Sequence, residues 1–298
     1  MGSDYEKIGR VKGRNLSIRK LLKARRLTTV YTERKWKGTE SYGGTTSGAD
    51  FMKDQREKFW KTRAKKYENL EWAIKGGYLH AFLDAGKFCS DDNVLDIGTG
   101  TGIVAHTISP FVDKVVGIDV SKDMLSHAFR HRTNNEEFHN MDATNLEFTD
   151  NTFTKVTARM VFHHILKDTQ KAMDECYRVI KPGGKMIFSE GVPPSPYVKP
   201  FYQDMFKLKE ERLTFLDNDL ISLMRNSGFK DIQEIIYWNR RSSIKNWLEN
   251  SGLSVDIQES IFRMHLELDE RGKQDYNLVS MNGDCYIDMK FVILVGEK

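Results

Sequence analysis

After Asp91 the chain alternates short apolar runs with amphipathic stretches. The runs Asn93–Gly98, Lys114–Asp119, Glu137–Met141, Thr154–Val161 and Gly184–Glu190 predict strands. The stretches between them, Gly102–Phe111, Lys122–Arg132 and Asp168–Ile180, predict helices. Further on, Asp217–Ser227 reads as a helix stopped by Gly228, and Asp231–Trp238 and Tyr286–Val295 read as strands. Alternating strand and helix implies a parallel sheet with helices on both faces, an α/β fold. The string "IKPGG" (Ile180–Gly184) reads as a helix stop followed by a turn: proline cannot continue a helix, and glycine admits left-handed φ. Upstream, Phe51–Tyr67 and Leu70–Ala85 read as helices.

Two segments break the rhythm. Val192–Leu216 is rich in Pro, Tyr and Phe, and Asn239–Asp284 reads as two or three helices and a loop. Both follow late strands, so both are expected over the carboxyl edge of the sheet, where open α/β folds bind ligands. They read as a substrate cap.

Composition narrows the classes. With 298 residues and 39% apolar content the chain is able to bury a substantial core, as one large domain or two small ones. Its apolar runs are too short to span a bilayer. The opening MGSDYEKIGR lacks the apolar stretch of a secretory signal, and Cys89, Cys176 and Cys285 are scattered without disulfide or zinc spacing. A reducing, cytoplasmic setting is expected.

Charge divides the chain. Residues 1–66 hold 19 Lys/Arg against 7 Asp/Glu; the remainder holds 27 against 35. Residues 1–66 therefore read as a basic N-terminal arm and helix, and residues 67–298 as the main domain with cap segments 192–216 and 239–284. The arm's "GRNLSIRKLLKARR" has the charge to meet nucleic acid or an acidic membrane surface, but it lacks a recognition-helix pattern. Packing on the acidic body, or on a second subunit of a homodimer, is the expectation. Lys37–Asp50, polar and glycine-rich, reads as a linker.

The chemistry begins at "VLDIGTGTGIVA", Val94–Ala105. Strand, glycine turn and helix form the unit that sets a helix N-terminus beneath a ligand. The spacing is G-x-G-x-G behind an acidic residue, which departs from the G-x-G-x-x-G of dinucleotide enzymes. Asp119 closes the second strand 17 residues beyond Gly102, where a carboxylate accepts both hydroxyls of a ribose. The alternative is a helix cap, for which Ser121 is better placed. Asp142, with the amide of Ala143, stands where an adenine edge would be read, or is a plain turn aspartate.

The pieces "VLDIGTGTG", "VVGIDVSKDML", "NMDATNLEFTDNTF", "ARMVFHHI" and "RVIKPGGKMIF" occur in this order. Over about residues 67–298 the chain thereby resembles the class I S-adenosylmethionine-dependent methyltransferases, most of all the small-molecule type acting on quinone precursors and secondary metabolites. The resemblance implies a Rossmann-like sheet of seven strands, the last antiparallel beside the fifth, and S-adenosylmethionine as cofactor. It implies that Asp96, Gly98, Thr99, Gly100 and Gly102 hold the methionine end, that Asp119 and Val120 meet the ribose, and that Asp142 and Ala143 meet adenine with Met124 on its face. Arg159 falls near the methionine carboxylate or the acceptor, and Tyr67 where an N-terminal helix covers the cofactor.

Methyl transfer from a sulfonium is an in-line displacement that needs alignment and exclusion of water. A base contributes where the acceptor must lose a proton. His163 and His164, after the fourth strand, are the candidates for that role, with packed or capping histidines as the alternative. The eight histidines are otherwise scattered, and no metal-ligand pattern is present in the sequence. Of the aromatics in or beside the cap (Tyr197, Phe201, Tyr202, Phe206, Trp238, Trp247, Phe262), most are expected to pack the cap and some to line an apolar acceptor pocket. The reading is methyl transfer to a small, partly apolar acceptor at O, C or N. A nucleic-acid methyltransferase using the arm is a rival, disfavoured because no Asn/Asp-Pro-Pro-aromatic tetrad follows the fourth strand. A non-catalytic cofactor-binding module is another, and a nicotinamide enzyme is disfavoured by the glycine spacing.

Overall fold

A computed structural model describes residues 76–298, and in it the apolar runs after Asp91 join one sheet. Helix α1 (Gly77–Gly86) leads to β1 (Asn93–Ile97), α2 (Ile103–Ile108), β2 (Lys114–Asp119), α3 (Lys122–Arg130), β3 (Glu136–Asn140), β4 (Phe153–Arg159), α4 (Thr169–Val179) and β5 (Ile180–Val192). Then follow α5 (Lys199–Lys209), α6 (Asp217–Ser227), β6 (Lys230–Ser243), α7 (Ile244–Glu249), α8 (Val255–Leu266), α9 (Glu270–Asp275), β7 (Val279–Met281) and β8 (Asp284–Glu297). The main path of the sheet runs β3-β2-β1-β4-β5-β8-β6. Its first five strands pair in parallel; β8 is antiparallel to both neighbours, β5 and β6. This is the expected seven-stranded arrangement with the last strand beside the fifth.

An eighth strand adds to it. β7 pairs with β8 through Met281 and Asp284. Between them stand Asn282 and Gly283, both at positive φ (54° and 71°), the backbone of a two-residue hairpin turn whose twist matches its strands.

Three elements differ from expectation by more than a residue or two at an end. The α4 helix stops at Val179 as its proline requires, but Ile180–Gly184 runs on as the start of β5 and does not form a free turn. Pro182 falls where the β4–β5 register slips between Phe153 and Lys155, so no regular ladder bond is lost to its missing N–H. β6 continues to Ser243, so the first residues of the second cap segment are strand. Gly102–Phe111 divides into α2 and a 3-10 turn, Ser109–Phe111, with Pro110 at its start. The arm of residues 1–66, the Lys37–Asp50 linker, the Phe51–Tyr67 helix and Tyr67 lie outside the described residues, as does the first part of Leu70–Ala85.

The central strands are buried on both faces, as parallel strands under two helix layers must be. Leu95, Val156, Phe188 and Leu294 are fully enclosed. A second cluster joins Met205, Phe206, Ile244, Trp247, Ile261 and Tyr276, so the two cap segments pack on each other. Among the described residues no helix is long and apolar enough to cross a membrane.

Candidate active site

The glycine loop follows β1. Gly98, Gly100 and Gly102 stand at φ 60°, 57° and 87°, in the left-handed region that side chains resist. A Cβ on Gly98 would lie 2.2 Å from Val161 Cγ2, and one on Gly102 2.4 Å from His106 Nε2. Gly98 and Gly102 are thus required by conformation and by space. The loop is pinned to β2: Thr99 N donates to Ile118 O and Gly100 N to Asp119 Oδ2, both at 2.9 Å.

The second oxygen of Asp119, Oδ1, accepts from Ser121 N at 2.8 Å. Burial pushes this carboxyl up, and the amides of Ser121, Gly100 and Val120 oppose the shift. Ser121, and not Asp119, caps α3, its Oγ accepting from Met124 N. Asp96 is 2% exposed. Thr157 donates to its Oδ1 at 2.7 Å, whereas Asp96 Oδ2 and Thr99 Oγ1 are buried without a hydrogen-bond partner among the described residues. Burial pushes the Asp96 carboxyl up to about 6, opposed by the Thr157 hydrogen bond, by the neighbouring Thr99 hydroxyl and by Arg159. A buried carboxylate oxygen in this state offers a place to a hydrogen-bond donor beyond the described residues.

Asp142 is exposed and closes a local turn, its Oδ1 accepting from Thr144 N and Oγ1. Ala143 and Met124 are buried beside it; Val120 is exposed at the rim. The Arg159 guanidinium stacks on Tyr78 at 5.4 Å, and Tyr78 stacks on Phe291 at 3.9 Å, so α1 and β8 fix the cation's place.

Asp96, Gly98, Thr99, Gly100, Asp119, Val120, Met124, Asp142, Ala143, Arg159, His163 and His164 all line one cavity of about 1140 Å³. Gly102 stands behind it, at the start of α2. At the cap end the same cavity is walled by Tyr202, Met205, Phe206, Trp247, His265 and Tyr276. Of the aromatics expected in the cap, Tyr202, Phe206 and Trp247 face this space, while Phe201 and Phe262 pack within the cap. Tyr197 turns outward to bond Asp269, and Trp238, on β6, lies under Arg240. The far wall is neutral: burial pushes His265 down to about 4, with Ile261 O accepting from Nδ1 at 2.8 Å, and raises the Tyr276 hydroxyl.

At the junction of the two ends is the turn Phe162–His164. His163 is 2% exposed, and its Nδ1 lies 2.5 Å from Glu190 Oε2. Glu190 Oε1 accepts from Val161 N at 3.0 Å and His163 N at 3.3 Å. Burial pushes the Glu190 carboxyl up to about 7, opposed by Arg212 and the backbone amides. The His164 ring is 4.0 Å from that of His163. Beyond them Glu210 lies 2.9 Å from Lys209 Nζ and 3.8 Å from Arg212, all three side chains nearly enclosed. Nitrogen and oxygen atoms of His163, His164 and Glu210 gather within 4.8 Å. Lys209 and Arg212 already hold the Glu210 carboxylate, and a further cation there would meet their repulsion. The group reads as an ion-pair corner.

Sequence reasoning singled out the histidines but missed Glu190, Lys209, Glu210, Arg212, His265 and Tyr276. "KLKEERL" looks like a solvated charge run, and the Glu in "IFSEG" looks like a strand end.

One end of the cavity thus offers carboxylates and a glycine-loop backbone to a polar ligand, the other an aromatic wall, with titratable groups between. A family model described as a methyltransferase domain matches residues 95–188. An uncharacterized methyltransferase, YcgJ, of Bacillus subtilis is 26% identical over 228 residues, covering 74% of this chain and 88% of that one. A demethylmenaquinone methyltransferase of Thermotoga maritima is 30% identical over 173 residues, 50% of this chain and 74% of that one. The crystal structure of the Bacillus YcgJ protein superposes with a TM-score of 0.64 at 23% identity, covering 74% of this chain and 97% of that one.

Proposed function

The chain belongs to the class I S-adenosylmethionine-dependent methyltransferases, and from that premise we propose that it methylates a small, partly apolar acceptor held beneath the cap. S-adenosylmethionine supplies an activated methyl group on a sulfonium sulfur. The observation that carries the acceptor reading is the continuity of one cavity from Asp96 and Asp119 to Trp247 and Tyr276. A site for the donor alone would not need the aromatic end.

The residues suit the donor. Asp96 Oδ2 and Thr99 Oγ1, buried and lacking a partner among the described residues, fit the methionine ammonium. Each Asp119 oxygen keeps a lone pair after accepting its backbone N–H, which fits two ribose hydroxyls. Asp142 and the Ala143 amide fit the adenine edge with Met124 against its face, and Val120 borders the ribose. Arg159 fits the methionine carboxylate. The aromatic wall, together with the likeness to the Thermotoga demethylmenaquinone methyltransferase, favours a quinone-type ring as acceptor, which in its reduced form carries phenolic hydroxyls. O- or C-methylation of such a ring needs a proton removed, and His163 and His164, which line the same cavity, are the candidates to accept it.

The excess of basic residues in 1–66 supports a second reading, in which RNA is the acceptor. Both are tested by incubating the full chain with methyl-labelled S-adenosylmethionine and, in turn, naphthalene-1,4-diol, catechol, a primary amine and total RNA. Label in a phenolic product supports the first reading; label in RNA alone replaces it with the second.

A further inference from the structure

We propose that Glu190 and His163 act as one proton-accepting unit toward the acceptor, with Glu190 the positioning residue that holds the imidazole in its Nδ1–H form. The proposal rests on the acceptor reading above and deepens it.

Glu190 lies on β5 and His163 on the turn after β4, so the pairing of these two strands brings together residues 27 apart in sequence. Glu190 is held from both sides. Two backbone amides donate to Oε1, and Oε2 faces His163 Nδ1. Once ionised, the Glu190 carboxylate only accepts, so above its midpoint the neutral imidazole before it carries its proton on Nδ1 and its lone pair on Nε2. That is the state a general base needs.

The unit then bears one negative charge in an enclosed place, and gaining a proton neutralises it. Burial favours that neutralisation, and the same burial lifts the Glu190 carboxyl to about 7. The titratable and charged groups around it are His164 on the same turn, Tyr202 on α5, Lys209 at the end of α5, and Glu210 and Arg212 just beyond. Arg212 favours the charged unit, Glu210 opposes it, and Lys209 offsets Glu210.

In the step, the acceptor gives its proton to Nε2 while an electron pair of the acceptor forms the new bond to the methyl carbon. The pair of the broken S–CH3 bond stays on sulfur, which ends as a neutral thioether. The unit gains one positive charge and the sulfur loses one, so charge balances.

The test is ¹⁵N NMR of histidine-labelled full chain loaded with S-adenosylhomocysteine, comparing wild type with Glu190→Gln. In the variant the amide oxygen is able to keep the two backbone donors, while its NH2 faces Nδ1 and moves the imidazole proton to Nε2. The expected result is an Nδ1–H His163 in wild type and an Nε2–H His163 in the variant. S-adenosylhomocysteine affinity stays unchanged, and single-turnover transfer to naphthalene-1,4-diol slows by about 10²–10⁴. A wild-type His163 protonated on Nε2, a variant without the tautomer change, or a variant at full rate overturns the proposal. If Glu190→Gln does not fold, the wild-type tautomer and the rate of His163→Gln decide. If wild type transfers nothing to the diol, the acceptor reading fails while the tautomer still judges the pairing.

Discussion

Asp96 on β1 and Thr157 on β4 stand opposite each other in the sheet register, and the Thr157 hydroxyl donates to Asp96 Oδ1 at 2.7 Å. The hydrogen bond favours an ionised carboxyl that burial disfavours, with a balance at about 6. Because that lies above the ordinary 3.8, Asp96 contributes stability below pH 3.8 that is lost as pH rises through about 6. Binding an ammonium has the opposite sign, since it needs the ionised form. Affinity for S-adenosylhomocysteine is expected to rise as pH passes about 6 and then level off. Thr157→Val should move that midpoint upward. Calorimetry across this range checks both, and an affinity indifferent to pH removes Asp96 from the ammonium site.

Asp119→Ala is expected to weaken S-adenosylhomocysteine binding by roughly 1–3 kcal/mol, the scale of lost hydrogen bonds to a charged group. Asp119→Asn keeps one acceptor oxygen and should lose less. Equal affinity in a folded Ala variant would leave Asp119 as a brace for Gly100 and Ser121 only.

Gly98→Ala meets two obstacles, φ of 60° and a Cβ 2.2 Å from Val161 Cγ2. Adding Val161→Gly removes the second, since the Val161 Cβ itself would stand 2.8 Å away, and leaves the first, about 1–2 kcal/mol of left-handed strain. Urea unfolding should therefore show the double variant more stable than the sum of the singles. Strict additivity would mean that the loop moves away from Val161.

Lys209→Met leaves Glu210 as an enclosed carboxylate short of its partner, and is expected to cost about 3–5 kcal/mol of stability. Adding Glu210→Gln should restore most of it. If the double variant is as unstable as the single, the Lys209 stem against Phe206 and Trp247 matters more than its charge.

Removing residues 1–50 bears on the basic arm. If the arm serves assembly or closure, turnover or oligomeric state changes while the remaining chain still unfolds cooperatively in a melting experiment. Salt-dependent RNA binding by the full chain, lost on truncation, would instead favour the RNA reading.

How much of this was legible depends on what each residue answers to. Gly98, Gly100 and Gly102 answer to local backbone conformation, so the loop and its neighbours Asp96 and Asp119 could be found from spacing. The strand and helix alternation answers to hydrophobic period, and the cap segments stood out by breaking it. Glu190 answers to nothing local: its partner His163 is set by strand pairing, and an acidic residue ending an apolar strand has no distinct pattern. Lys209, Glu210 and Arg212 carry no sign of burial in the sequence, because their burial comes from the two cap segments closing on each other. Pro182 in "IKPGG" reads as a helix stop followed by a turn because a sequence does not show where a register slip will absorb a missing N–H. The short β7 strand carries its own signal, the Asn282–Gly283 turn, inside a segment that otherwise has the pattern of helices and loop.

The place of β8 bears on how the molecule is assembled in time. β5 receives its second neighbour from residues far downstream: Ser189 Oγ donates to Val292 O, 103 positions later. β6 has β8 as its neighbour in the sheet, so it too must wait. On a growing polypeptide, the five parallel strands can be made while the edge of β5, with Ile187 and Phe188, still lacks its partner. Closing so long a loop slows folding, and an apolar strand edge left open invites pairing with another chain. Between synthesis of β5 and synthesis of β8, the edge of β5 therefore stands without the partner that closes it in the finished sheet.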